Sequence, residues 1–150
     1  MMKELIIEQT LKTPLINLNR VTGDLLFSGR SIPENATKLY EPVLNWVKEY
    51  ISKANPTTNL RLDLEYFNTA SSIWLAKMVK TLSKMSDPDN ILFIHLYFNM
   101  EDFDNMETED LKDALSPVVD IVSTAIISIG IKIYGTDDKG RIIKESMVLI

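Results

Sequence analysis

The chain has no cysteine and a single histidine among its 150 residues. The first absence excludes a disulfide framework, a thiol nucleophile and any cysteine-ligated zinc site, and fits a reducing cytoplasm. The histidine, His95, lies inside the apolar run ILFIHLYF. There it reads as a packed or hydrogen-bonded core residue, so neither a catalytic triad nor a two-histidine metal site is available. The five glycines are scattered, and FSGRS lacks the spacing of either nucleotide-binding fingerprint. These absences point away from an enzyme.

Long hydrophobic runs and basic clusters are missing as well. MMKELIIEQT is too charged and too short in its apolar part for a signal peptide. VVDIVSTAIISIGIKIY carries Asp120 and Lys132 and falls short of a membrane-spanning length. The expectation is a soluble cytoplasmic protein with no membrane insertion. The net charge is −5, with an isoelectric point near 4.9. Without a stripe of cations to displace condensed counterions, nucleic acid is not an expected partner. A small molecule or another protein remains.

What is present is an ordinary globular composition, 45% hydrophobic and 25% charged, over the length of one domain, residues 1–150. Residues 5–7 and 15–18 read as edge-like strand material around Pro14. GDLLFSGR reads as a further strand entered through a Gly23-Asp24 turn. SIPEN then reads as a helix start, with Ser31 capping, Pro33 in the first turn and Glu34 as capping-box partner. The apolar spacing behind it predicts a helix from about Pro33 to Lys53, with Pro42 as a possible bend.

NLRLDLEYF alternates, with Leu60, Leu62, Leu64 and Tyr66 on one side and Arg61, Asp63 and Glu65 on the other. The helical period returns from Thr69 to Met85, and ILFIHLYF reads as a central strand covered on both faces. NMEDFDNMETEDLKD leads into a helix expected at about Thr108–Ser123. AIISIGIKIYG, TDDKG and RIIKESMVLI read as a hairpin with Gly140 in its turn. The fold class is therefore α/β (α+β): a sandwich of helices on a mixed sheet, ending in a C-terminal β-hairpin.

Two segments invite chemistry. The carboxylates of residues 101–110, among them Asp102, Asp104 and Glu107, could present oxygens to a cation. They lack the glycine and terminal glutamate spacing of an EF-hand, so a solvated acidic loop at a helix N-terminus is the stronger reading. A small-molecule- or metal-binding domain using this loop remains the alternative function. The second segment is YFNTASS, with Thr69, Ser71 and Ser72 close together after Asn68. Asn68 or Thr69 can cap the following helix. One cap needs one side chain, however, and a helix N-terminus also accommodates a phosphate. Trp46 reads as core, while Trp74, two residues after the hydroxyls, is a candidate interface anchor beside its packing role.

Three stretches, FSGRSIPENATKLYEPVLNWVKEY, LRLDLEYFNTASSIWLAKMVKTLSKM and YFNMEDFDNME, resemble the SiaC-type regulatory phosphoproteins of bacteria. The shared elements are Gly29, SIPENA, YFNT-x-SS and the acidic segment, in the same order, over roughly residues 5–110. The resemblance implies a STAS-like architecture and the partner-switching logic of anti-sigma-factor antagonists. It implies that a cognate Ser/Thr kinase phosphorylates Thr69 and a PP2C-type phosphatase removes the phosphate. The unphosphorylated form is then expected to bind and activate a GGDEF diguanylate cyclase, raising cyclic di-GMP and promoting aggregation or biofilm growth. Carried over by motif, Asn68, Ser71 and Ser72 surround the switch, and Ser31, Pro33, Glu34 and Asn35 form a second shared group, structural or contact-making. No catalytic residue, cofactor or metal is implied. Ala70 stands where the family usually has serine, and Ile73-Trp74 replace a lysine common after the serines.

Overall fold

The computed structural model describes residues 3–99 and 124–149. The acidic loop 101–110, the helix expected at 108–123 and the calcium reading attached to them lie outside the described residues. Among the described residues seven strands form one sheet: β1 (Leu5–Ile7), β2 (Leu15–Asn19), β3 (Asp24–Ser31), β4 (Thr57–Phe67), β5 (Ile91–Asn99), β6 (Ser128–Thr136) and β7 (Ile142–Leu149). Helix α1 (Ala36–Tyr50), continued by a 3-10 turn at Ile51–Lys53, joins β3 to β4, and α2 (Thr69–Leu82) joins β4 to β5. The strands lie in sequence order across the sheet. β1, β2 and β3 are antiparallel, β3 to β6 parallel, and β7 antiparallel to β6. This is the mixed α/β sheet with a closing hairpin that the strand and helix periods imply.

Consecutive parallel strands with right-handed connections place their helices on one face. The side chains agree. Leu25, Leu60, Ile94 and Ile131 are neighbours in register, and all belong to one buried cluster with α1 and α2. Helix α1 supplies Tyr40, Val43, Leu44, Val47 and Tyr50, and α2 supplies Leu75, Met78, Val79 and Leu82. Each set repeats at the spacing of a single helical stripe. The β2–β3 turn is set by Asn19, whose Oδ1 accepts the N–H groups of Val21 and Thr22. Gly23 follows at φ +76°, and a Cβ there would lie 2.6 Å from the Thr57 carbonyl oxygen.

Two expectations need correction. First, Ser31 does not cap α1, Pro33 is not in its first turn and Glu34 is not a capping-box partner. The helix starts at Ala36, and Asn35 is its cap, its Oδ1 accepting the Lys38 N–H at 3.1 Å. Ser31 still belongs to β3, and its hydroxyl is committed to buried partners described below. Glu34 instead forms an exposed pair with Lys12 at 3.2 Å, a type of contact that adds little stability. The helix runs on through Pro42, and its far end, with the 3-10 turn, does reach Lys53.

Second, the alternation of β4 holds through Leu64 but not at Tyr66, which is exposed. The register with β3 slips at Gly29/Arg30, so that Gly29 faces Leu64 and Arg30 faces Tyr66. Glu65 is the residue left over, and such a slip re-aims the side chains beyond it.

The two faces of β5 differ in character. Among the described residues both helices lie on the Leu92/Ile94 face. The opposite face is a polar and aromatic network. His95 is only 3% exposed, with Nδ1 2.7 Å from the Tyr134 hydroxyl and Nε2 2.8 Å from Asn59 Oδ1. Because an amide oxygen only accepts, Nε2 carries the proton and Nδ1 accepts from Tyr134. Tyr97 stacks on Tyr134 at 4.7 Å, and Arg61 donates to the Tyr97 hydroxyl and lies 3.6 Å from Asp24. Burial, followed by the charges of Arg61 and Lys132, lowers the His95 pKa to about 4. The lone histidine is a neutral core residue.

Candidate functional site

In open α/β sheets, sites gather outside the carboxyl ends of the parallel strands. That is where β4 hands the chain to α2. Asn68 has extended backbone, and its Oδ1 accepts the Ser71 N–H at 2.9 Å, which makes it the N-cap. Its own N–H bonds the Ser31 carbonyl at 3.0 Å. The turn is thereby fastened to the end of the neighbouring strand, β3.

The three hydroxyls of the turn have separate fates. Ser71 is fully buried, and its Oγ donates to the Ser31 carbonyl at 3.0 Å. With that proton used, the 2.7 Å contact between Ser31 Oγ and Ser71 Oγ has Ser31 as donor. The Tyr40 hydroxyl, also bonded to Ser31 Oγ, then donates to it. The result is a closed relay from Tyr40 through Ser31 to Ser71 and back to the Ser31 carbonyl, with all three side chains fully buried. Burial also raises the Tyr40 pKa, so the phenol remains a donor. Ser72 Oγ, half-buried, donates to the Thr69 carbonyl at 2.7 Å. Thr69 alone is exposed, and its hydroxyl has no hydrogen-bond partner among the described residues.

The two shared groups therefore meet, but unequally. Ser31 reaches the site as a buried support, not as a contact surface. Asn35 caps α1, Glu34 points to Lys12, and Pro33 is half-buried in the connection between β3 and α1. Trp74 is half-buried, stacked on Tyr40 at 6.4 Å, with the Lys77 ammonium 4.4 Å from its ring centre.

The side chains open to solvent around Thr69 are Tyr66, Phe67 and Ile73, between 48% and 57% exposed. Alternation places Tyr66 with Leu60, Leu62 and Leu64 on one side of β4 and gives Phe67 no role. Two adjacent aromatics at a strand end are the signal that was available, because alternation can bury only one of them. Exposed large apolar side chains close together are a feature that interaction surfaces share.

The described residues also form a cleft of about 360 Å³ at the carboxyl ends of β4, β5 and β6, lined among others by Asp63, Glu65, Tyr97, Thr136 and Asp138. Burial raises the Asp63 pKa, and Glu65 lies 3.9 Å from Arg30. Among the described residues, no group of three histidines or carboxylates is placed to hold a metal ion. Nor does any described helix have the length and apolarity to cross a membrane.

Comparison with known proteins gives the chain a family. A family model for the SiaC family regulatory phosphoproteins matches residues 7–124, further along the chain than the motifs alone reach. A curated relative, an uncharacterized protein of Pseudomonas aeruginosa, is 36% identical over 70 residues. That match spans 47% of this chain and 56% of the relative, little more than half its length.

Among solved structures, apo-SiaC from P. aeruginosa superposes with a TM-score of 0.65 at 22% identity, covering 85% of this chain and 98% of that one. SiaC in its complex with the diguanylate cyclase SiaD, of which it is the activator, also gives 0.65 at 22% identity, covering 83% and 97%. At these identities the structures establish a shared fold, and the family match carries the assignment: the chain belongs to the SiaC family of regulatory phosphoproteins.

Proposed function

We propose that this protein is a non-enzymatic, cytoplasmic partner-switching regulator, controlled by reversible phosphorylation of Thr69. A Ser/Thr kinase adds the phosphate, a PP2C-type phosphatase removes it, and the unphosphorylated form binds and activates a GGDEF diguanylate cyclase. The observation that carries this reading is the isolation of Thr69 as the exposed, unbonded hydroxyl at the first position of α2. Support also comes from family membership and from the cyclase complex of the homologue.

The geometry suits a switch. Asn68 already satisfies the Ser71 N–H, and the Ser72 N–H bonds the Asn68 carbonyl. The amides of Thr69 and Ala70, at the positive end of the helix dipole, are left for a phosphate. A phosphate would set close to two negative charges among Tyr66, Phe67 and Ile73. An apolar partner surface would then have to strip water from a dianion, so phosphorylation weakens docking.

Incubation with the cognate kinase and ATP, followed by intact-mass measurement and peptide mapping, tests the assignment. One phosphate on the peptide carrying Thr69, absent from Thr69→Ala, is the expected result. The same phosphate persisting in Thr69→Ala would place the switch elsewhere.

A further inference from the structure

The outward face of α2 carries charge of one sign. From Asn68 to Ser86 the chain has three lysines and neither aspartate nor glutamate, although the net charge of the protein is −5. Helix α1, by contrast, mixes Lys38 and Lys48 with Glu41 and Glu49. Lys77, Lys80 and Lys84 are all exposed, and none forms an ion pair among the described residues. At about 100° per residue, Thr69, Ile73, Lys77 and Lys80 fall within an arc of about 80° on the helix. Lys84 follows in the turn after it, its N–H bonded to the Thr81 carbonyl. One face therefore runs from the Thr69 hydroxyl, past the exposed Ile73, to a row of unpaired cations. The helix dipole favours cations near the C-terminus, which accounts locally for Lys80 and Lys84. It would equally favour a carboxylate in the first turn, where there is none, and it gives no reason for Lys77.

We propose, on the partner-switching reading above, that this face docks an acidic surface of the partner protein, with an apolar contact at Ile73 and carboxylates against Lys77, Lys80 and Lys84. Charge complementarity selects that occupant, because a positive stripe meets a negative one with faster association and suppresses wrong partners. An anionic membrane fits less well. Three lysines make a weak anchor there, and the remaining, negative charge of the protein opposes it. The stripe also gives Thr69 a second means of control. Thr69 lies roughly 12 Å along the helix axis from Lys77, little beyond the screening length of about 8 Å at physiological ionic strength. A phosphate at the head of the stripe offsets the positive field that the partner meets and repels its carboxylates.

The test is binding to the cognate cyclase by Lys80→Glu/Lys84→Glu, with Lys38→Glu/Lys48→Glu on α1 as a control of equal charge change. Circular dichroism first establishes that both are folded. The α2 pair should bind about tenfold more weakly, mainly through slower association, and with a flatter dependence on salt. The α1 pair should bind like the unmodified protein, whose own affinity should fall as NaCl rises from about 50 to about 300 mM. Equal losses in the two pairs overturn the proposal, since net charge and not this face would then be what the partner reads. An affinity of the unmodified protein that is indifferent to salt overturns it too. So does unchanged cyclase binding by the α2 pair, including the case in which those lysines instead hold the protein on phosphatidylserine vesicles. Phosphorylation-sensitive binding that ignores the α2 pair overturns the docking face alone. Absence of any cyclase binding overturns the partner-switching reading, and the docking face with it.

Discussion

Ser31→Ala is expected to destabilise the protein by about 2 kcal/mol, within the range for stranding a buried hydrogen-bonding group. The serine hydroxyl accepts from Tyr40 and donates to Ser71, in a place where none of the three side chains reaches water. Removing it takes the Tyr40 hydroxyl's near acceptor and the Ser71 donor together, leaving the phenol only its contact with Ser71. Tyr40→Phe alone removes a donor and leaves Ser31 its bond to Ser71, so the expected loss is smaller, about 1 kcal/mol. The double variant should lose about as much as Ser31→Ala alone, because the phenol left behind is gone too. Urea denaturation of the four proteins measures this coupling. Strict additivity would mean that the hydroxyls do not act as one relay. The position matters because Ser31 also supplies the carbonyl that holds Asn68 and Ser71.

The second large effect is on acid stability. Folding lowers the His95 pKa from 6.5 to about 4. Between those values the unfolded chain binds the proton that the folded one excludes, so stability falls as pH falls through that window. The contribution is fully present above the unfolded value. Its loss by pH 4 amounts to about 3 kcal/mol. His95→Gln, whose amide does not titrate, should show a smaller decline in unfolding free energy between about pH 7 and about pH 4.5. An equally steep decline in that variant would shift the acid sensitivity to the carboxylates. Arg61, Lys132 and Asp24 are the charges acting on the imidazole, and Asp24 alone among them opposes the shift.

Much of this architecture is legible in the order of residues. The alternation in β4 and the 3.6-residue stripe in α1 each follow from one-sided burial, and both survive in the fold. The cap of α2 is legible because Asn68 stands directly before the apolar period. Ser31 is misread for a physical reason: serine followed by proline and glutamate has the local chemistry of a helix start. What claims its hydroxyl is Tyr40 and Ser71, 9 and 40 residues away, and no local rule sees such partners. Tyr66 is misread because its exposure depends on the register slip of β4 against the neighbouring β3, at Gly29/Arg30. The polar face of β5 is hidden because Phe93 and Tyr97 count as apolar in a run, although the tyrosine hydroxyl there takes a bond from Arg61. Within YFNTASS, the motif resemblance points to Thr69, and in the structure the hydroxyls of Ser71 and Ser72 are occupied by carbonyl oxygens.

The most direct test of the switch is a binding titration against the cognate GGDEF cyclase, using the unphosphorylated protein, the enzymatically phosphorylated protein and Thr69→Asp. The unphosphorylated form should bind and raise cyclase activity. The other two should bind at least ~tenfold more weakly, about 1.4 kcal/mol, with circular dichroism spectra unchanged. Equal affinity of the phosphorylated and unphosphorylated forms would contradict the account.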